Sequence, residues 1–256
     1  MSETPDLRAL LRSWPYDPDE DVRFVQGDDG REILQVRTPL GLEQHELDGR
    51  PDGLRPHGLE SEFDFQLRQL DRARAAGALA QFELAPDDCA RLFAEGTLYY
   101  YRYLRLFQLR DWPRAIRDTG RNLRVFDFIH EHARRAEDRN NLEKWRPYVL
   151  RMNGAAQALL RVEKGEPAAA LAVLTRTQRK IEQLEELHDE TFDFERERSL
   201  LALRELADQI QQSQPPSELD RLQSQLERAI ADQEFERAAR LRDRIRALNQ
   251  TGRSPA

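Results

Sequence analysis

The stretch LRLFQLRDWPRAI, residues 104–116, sets the reading of the fold. Apolar residues at helical spacing run up to Asp111, and Trp112-Pro113 opens a second helix, where proline is tolerated because the first-turn N–H has no partner anyway. About 55 residues later ALLRVEKGEPAAAL, residues 158–171, repeats the plan, with Ala115 falling opposite Ala170. Each stretch predicts one helix, a tight turn and an antiparallel helix that opens with small residues.

Working outward, residues 61–145 read as helices. SEFDFQLRQLDRARAAG is capped by Ser61 and ends near Gly77. LAPDDCARLFAEGTLYYYRYLRLFQL follows, with Pro86 and two aspartates in its first turn, as the helix dipole favours. DWPRAIRDTGRNLRVFDFIHEHARRA then has an apolar face at Ala115, Ile116, Thr119, Leu123, Phe126, His130 and Ala133. After the 158–171 turn, a further helix from about Phe192 to Gln212 should bury Leu200, Leu203, Leu206 and Ile210. The paired hairpins resemble tetratricopeptide repeats, although the spacing exceeds that family's period of about 34 residues. The resemblance implies a groove for partner peptides; a plain helical bundle would read the same.

Residues 1–60 are the least helical. Val22 and Phe24 precede Gly27-Asp28-Asp29-Gly30, and Leu34 and Val36 follow it with period 2, which predicts a β hairpin or meander. Two strands alone are marginal in water, so this unit must pack on the helices.

At the other end, SQPPS breaks the helical pattern, because adjacent prolines favour an extended connector. Beyond it, Leu219, Leu222, Leu226, Ala229 and Ile230 trace one helical face, with Ser217 a possible cap. A turn at Ala231-Asp232-Gln233 leads to a second face at Phe235, Ala238, Ala239, Arg242, Ile245 and Leu248. The alanine pair permits close helix approach, and Phe235 should plug the end of the hairpin.

This segment resembles the UVR motif, the helical hairpin found at the C-terminus of UvrB and inside UvrC, and also in bacterial Clp ATPases and an activator of protein-arginine kinase. The matching positions are Leu226, Ala229, Phe235, Glu236, Ala238, Ala239, Leu241, Arg242, Asp243, Ile245 and Leu248. The resemblance implies a docking module. Physical reasoning points the same way, since two helices of about 15 residues rarely bury both apolar faces on each other alone. The expected contact set is Leu219, Leu222, Leu226, Phe235, Ala238, Ala239, Leu241, Arg242, Ile245 and Leu248. The expected partner is a UVR-containing repair subunit, a Clp-type ATPase or a second copy of the chain. Charges such as Glu234, Glu236, Arg240 and Asp243 would set partner choice more than affinity.

The rest of the chain departs from those families: it shows no Walker motif, no helicase segments and no paired zinc-binding cysteines. Cys89 is the sole cysteine, which excludes an internal disulfide, and its apolar surroundings read as core. His130 and His132 point to different helix faces, and His188, Asp189 and Glu190 read as solvated charge. No serine or cysteine has a nucleophile's context. The expectation is a non-enzymatic adaptor with no cofactor and no metal, in a bacterial cytoplasm. No apolar run spans a membrane, and the N-terminus lacks a signal-peptide pattern.

Charge argues against nucleic acid as the main ligand. Residues 1–60 hold 14 acidic and 7 basic side chains, 61–216 hold 26 and 25, and 217–256 hold 7 and 8, so no large segment is basic enough to grip phosphates by bulk charge. An alternative rests on Arg114, Arg117, Arg121 and Arg124, which recur as one stripe of a helix just downstream of Tyr99, Tyr100, Tyr101 and Tyr103. Arginine with tyrosine can hold phosphates and stack bases. A solvated face beside the core would show the same spacing.

The organisation expected is therefore mainly α. A β-rich unit occupies 1–60, a helical body 61–212, a proline-rich linker 213–217, a UVR-like hairpin 218–250 and a disordered tail 251–256.

Overall fold

The computed structural model describes residues 6–213 and 218–251, with side chains described for 6–213 and 221–246. The expected Ser217 cap, the Pro215-Pro216 connector and the tail beyond Thr251 lie outside the described residues. The protein is mainly α with a small N-terminal sheet. It divides into two compact units, 1–207 and 208–256.

The first unit starts with a short helix α1 (Arg8–Ser13) and a three-stranded antiparallel meander, β1 (Val22–Gln26), β2 (Glu32–Thr38) and β3 (Gly41–Glu46). Val22 pairs with Val36 and Phe24 with Leu34. The turn between them closes on Gly30, whose φ of 78° only glycine adopts without strain. Leu34 then joins Leu47, Leu106, Trp112, Ala115 and Ala156 in one buried cluster, with Val22 and Phe24 packed against it. The sheet thus does what a marginal meander must, burying its apolar face on helices.

The helices are α2 (Glu62–Ala75), α3 (Pro86–Gln108), α4 (Trp112–His132), α5 (Ala136–Glu143), α6 (Arg146–Glu163), α7 (Pro167–Glu182) and α8 (Glu190–Gln212). The Ser61 hydroxyl accepts from the Asp64 N–H at 3.0 Å and starts α2. A second cluster, including Phe63, Leu84, Leu92, Val125, Phe128 and Leu142, fills the space among α2, α3, α4 and α5. Cys89 belongs to it, and burial pushes its thiol up to about 11.

The α3–α4 and α6–α7 hairpins close by one backbone device. The Arg110 N–H donates to Phe107 O (3.1 Å) and the Asp111 N–H to Leu106 O (2.8 Å). In α6–α7 the Gly165 N–H donates to Val162 O and the Glu166 N–H to Arg161 O, both at 2.9 Å. This pairing ends helices whose next residue is left-handed, and Arg110 and Gly165 have φ of 58° and 74°. Asp111 also accepts from the Arg114 N–H at 3.1 Å, so it closes one helix and caps the next. Where α6 meets α7, a Cβ on Gly154 would lie 2.6 Å from Cγ2 and 2.8 Å from Cβ of Thr177.

Two helices bury more than their apolar pattern implies. On α4 the buried set extends to Asp118, Arg121 and Asn122, while His130 is exposed. On α8, Leu203 and Ile210 are buried as expected, but Leu200 and Leu206 are only half-buried, and Phe192, Glu195 and Ser199 are buried instead.

The second unit holds α9 (Glu218–Ala231) and α10 (Phe235–Thr251), packed on each other as a hairpin. Its turn repeats the device above: the Gln233 N–H donates to Ile230 O (3.1 Å), the Glu234 N–H to Ala229 O (2.8 Å), and Gln233 has φ 57°. Among the described residues, no helix is long and apolar enough to cross a membrane.

Candidate functional site

In the C-terminal hairpin the ten expected contact residues separate into groups. Leu222 and Ala238 are buried, as is Ala229. Leu226, Ala239, Leu241 and Ile245 are half-buried. These small and branched residues fall at helical spacing on facing elements, as the close approach of two helices requires. Leu222 and Ala238 thus lie inside the hairpin in this arrangement. Arg242 is exposed and hydrogen-bonds Asp243 through Nη2 at 3.0 Å. The side chains of Leu219 and Leu248 lie outside the described residues.

Phe235 contradicts the plug reading. It is 71% exposed, and Ile230 beside it is 55% exposed. The cause is local: the turn residues Asp232 to Glu234 separate the helix ends, and α10 begins at Phe235 itself, so its ring stands off the seam. Glu234, Glu236, Arg237 and Arg240 surround the ring, and Arg237 pairs with Glu234 at 2.9 Å. The hairpin's turn end is thus an apolar tip in a ring of mixed charge.

Of the α4 arginines, Arg117 and Arg124 are exposed, Arg114 is half-buried and Arg121 is buried. Arg121 is 7% exposed and donates to the Glu95 carboxylate and, at 3.2 Å, to Asn122 Oδ1. Burial pulls its guanidinium down, against the pull of Glu95. Arg117 bonds Asp118 and Asp48, each at 2.9 Å, and the Leu47 carbonyl at 2.5 Å. Arg114 pairs with Asp111 at 2.8 Å and Glu32 at 3.0 Å. Arg124 is exposed. Of the tyrosines, Tyr99 and Tyr103 are buried, Tyr100 is half-buried and only Tyr101 is exposed.

What the stripe builds is a buried ionic network. Fully buried Glu95 accepts from Arg50 Nη1 (3.0 Å), from Arg121 and from the backbone N–H groups of Glu62 (2.7 Å) and Phe63 (3.2 Å). Arg102, also fully buried, forks onto Asp118 at 2.6 and 2.9 Å and donates to the carbonyls of Glu46 (2.7 Å) and Gly49 (2.9 Å). Spacing showed these charges but not their partners, which lie 16 to 56 residues away in the chain.

A second feature escaped the sequence reading. A pocket of ≈ 350 Å³ opens among α3, α4, α5, α6 and α8, walled by aromatic rings that include Phe93, Tyr100, Trp145 and Tyr148, and touched by Glu195 and Arg198. Burial and the neighbouring Tyr100 raise the Tyr148 hydroxyl. The Tyr99-Tyr100-Tyr101 run was the available signal, but its partners on α5, α6 and α8 are distant in sequence. Among the described residues, no group of three or more His, Cys, Asp or Glu side chains is placed to hold a metal ion.

Residues 217–251 match the family model of the UvrB/uvrC motif. The chain therefore carries this motif, and the match ends where α10 ends. No curated protein and no solved structure matched the chain.

Proposed function

We propose that the protein is a docking adaptor whose C-terminal UVR hairpin engages another protein through its turn end. The observation that carries this reading is the exposure of Phe235 and Ile230 together at the hairpin tip, on a segment matching the UvrB/uvrC motif. Single exposed apolar side chains are ordinary, but two together at one hairpin end form a patch of the kind that marks interaction sites, and aromatic side chains are frequent centres of binding energy. The ring of Glu234, Glu236, Arg237 and Arg240 carries both signs, which suits a partner with a similarly mixed rim. The partner class is a protein bearing its own UVR hairpin: a repair subunit, a Clp-type ATPase or a second copy of this chain. The helical hairpins of the first unit, read as TPR-like, are the body that this module serves, and the protein acts in the cytoplasm without catalysing a reaction.

The test uses purified full-length chain. Light scattering at increasing concentration reads self-association, and titration against purified UVR-bearing proteins of the same organism reads hetero-association. One of these is expected to bind, and Phe235→Asp to weaken it by at least about 2 kcal/mol, as removal of a central aromatic anchor does. Equal binding by wild type and Phe235→Asp, or no association in any arm, refutes the proposal. The nucleic-acid alternative is the weaker reading, because Arg114, Arg117 and Arg121 already bond Asp, Glu and carbonyl oxygens, which leaves Arg124 as the exposed member of the stripe without such an acceptor among the described residues.

A further inference from the structure

The aromatic pocket of the first unit holds a carboxylate oxygen that no donor of the chain hydrogen-bonds. Glu195 is 6% exposed, and its Oε2 is buried without a hydrogen bond. The nearest cations are Arg151 Nη2, 4.0 Å from Oε2, and Arg198 Nη1, 3.8 Å from Oε1. Both exceed hydrogen-bond range. A buried carboxylate without donors is costly, so such a group is normally met by a ligand or water when no side chain serves it. Asn122, a buried amide in the wall, is already used: its nitrogen donates to Gly96 O at 2.9 Å and its oxygen accepts from Arg121.

Three constraints then define the missing partner. The pocket volume, ≈ 350 Å³, lies within the range of about 300–1,000 Å³ typical of small-molecule sites. Tyr100, Trp145 and Tyr148 line the pocket, and aromatic walls favour a planar aromatic body. Two arginines stand within 4.0 Å of one carboxylate. A cationic amine would therefore enter a locally positive site. The donors that satisfy Glu195 have to be neutral N–H groups, while the exposed Arg198 side chain is placed to meet a negative substituent.

We propose that this pocket binds a purine nucleotide of the guanine type. Guanine presents two adjacent neutral N–H donors on one edge, matching the two oxygens of Glu195. Adenine offers one amine beside a ring acceptor, which would face the carboxylate with like polarity. The aromatic wall of Tyr100, Trp145 and Tyr148 holds the base, and Arg198 takes the phosphate.

Trp145 lines the pocket and reports on it, so the experiment is a tryptophan-fluorescence titration of the full chain, checked by calorimetry, with GMP, AMP, guanosine and benzylamine as probes. GMP is expected to saturate one site. AMP should bind at least about tenfold more weakly, since a site built around a donor pair rejects a ligand lacking it. Glu195→Gln should lose at least about tenfold for GMP, because the amide replaces one acceptor with a competing donor. Arg198→Ala, at an exposed position, should bring GMP down to the affinity of guanosine and leave guanosine unchanged. No saturable GMP binding by the wild type overturns the proposal. So does AMP binding as well as GMP, benzylamine binding better than GMP, or Glu195→Gln retaining full affinity. Melting curves without ligand show whether each variant is folded. If Glu195→Gln unfolds, the Arg198→Ala comparison of GMP with guanosine decides alone. All these readouts are independent of the C-terminal hairpin.

Discussion

Replacing Asp118 by alanine should be among the most damaging single substitutions in the first unit. Asp118 supplies both acceptors of the fork from Arg102, at 2.6 and 2.9 Å, and one acceptor to Arg117 at 2.9 Å. Both members of the Arg102 pair are buried. The substitution strands a guanidinium in the interior with the carbonyls of Glu46 and Gly49 and the Tyr99 ring as its remaining partners. Breaking a buried pair by removing one member costs about 3–5 kcal/mol, because the remaining charge is uncompensated. A unit of this size shifts its midpoint by about 2–4 °C per kcal/mol, so the melting temperature should fall by about 6–20 °C. Replacing both partners with apolar residues, Arg102→Met with Asp118→Leu, removes the stranded charge. It also deprives the two carbonyls of their donor, so the double variant should recover part of the loss rather than all of it. The assay is two-wavelength thermal unfolding by circular dichroism, closed as a double-mutant cycle with both single variants. A drop below about 2 °C for Asp118→Ala, or strict additivity of the two substitutions, would show that the pair is not energetically coupled.

Three further outcomes follow from the geometry. Gly154→Ala should destabilise by about 1–3 kcal/mol, the usual cost of overpacking, because the new methyl meets Thr177; Thr177→Ala should relieve most of it in a urea melt. Arg110→Gly should leave stability unchanged or raise it by up to about 1 kcal/mol, since Arg110 holds a left-handed φ that glycine adopts freely; a loss of more than that would mean the side chain, not the backbone, sets the turn. Cys89 should react slowly with a thiol reagent at neutral pH, because its folded pKa is about 11 against an ordinary 9.0. The sign is that the folded state keeps the proton the unfolded state gives up, so the Cys89 contribution to stability declines as pH rises from about 9 to about 11. Comparing alkaline melts of the wild type with those of Cys89→Ala isolates that slope.

The elements were largely legible from sequence, because their signals are local. Gly27 to Gly30 sets a hairpin register in which Phe24 meets Leu34, Ser61 caps α2, and Lys164-Gly165 with Pro167 marks the α6–α7 turn. The short helices α1 and α5 were missed. The α5 segment carries one buried side chain, Leu142, too few for a periodic pattern. The UVR hairpin was readable because its residues follow one another in a fixed order, and the family match covers it. Phe235 was misjudged because periodicity gives a residue's face but not its height along the helix, and at the first position of α10 there is nothing opposite to cover it. Arg121 on α4 departs from the solvated-face reading for the opposite reason. A charged stripe looks the same whether water or Glu95 and Asp118 neutralise it, and only tertiary structure distinguishes the two. Glu195 and Ser199 sit at positions where an apolar stripe would be expected to continue, yet they are the buried ones.

Glu95 has one more consequence. A single carboxylate on α3 caps α2 from outside its own sequence and holds Arg50 from the segment after β3 and Arg121 from α4. None of these segments can detach without removing a donor from that buried charge. Partial opening is therefore costly here, and the region should exchange its amide protons as one cooperative block. Where neighbouring helices often fray in sequence, this junction gives the β unit and the first three long helices a common lifetime.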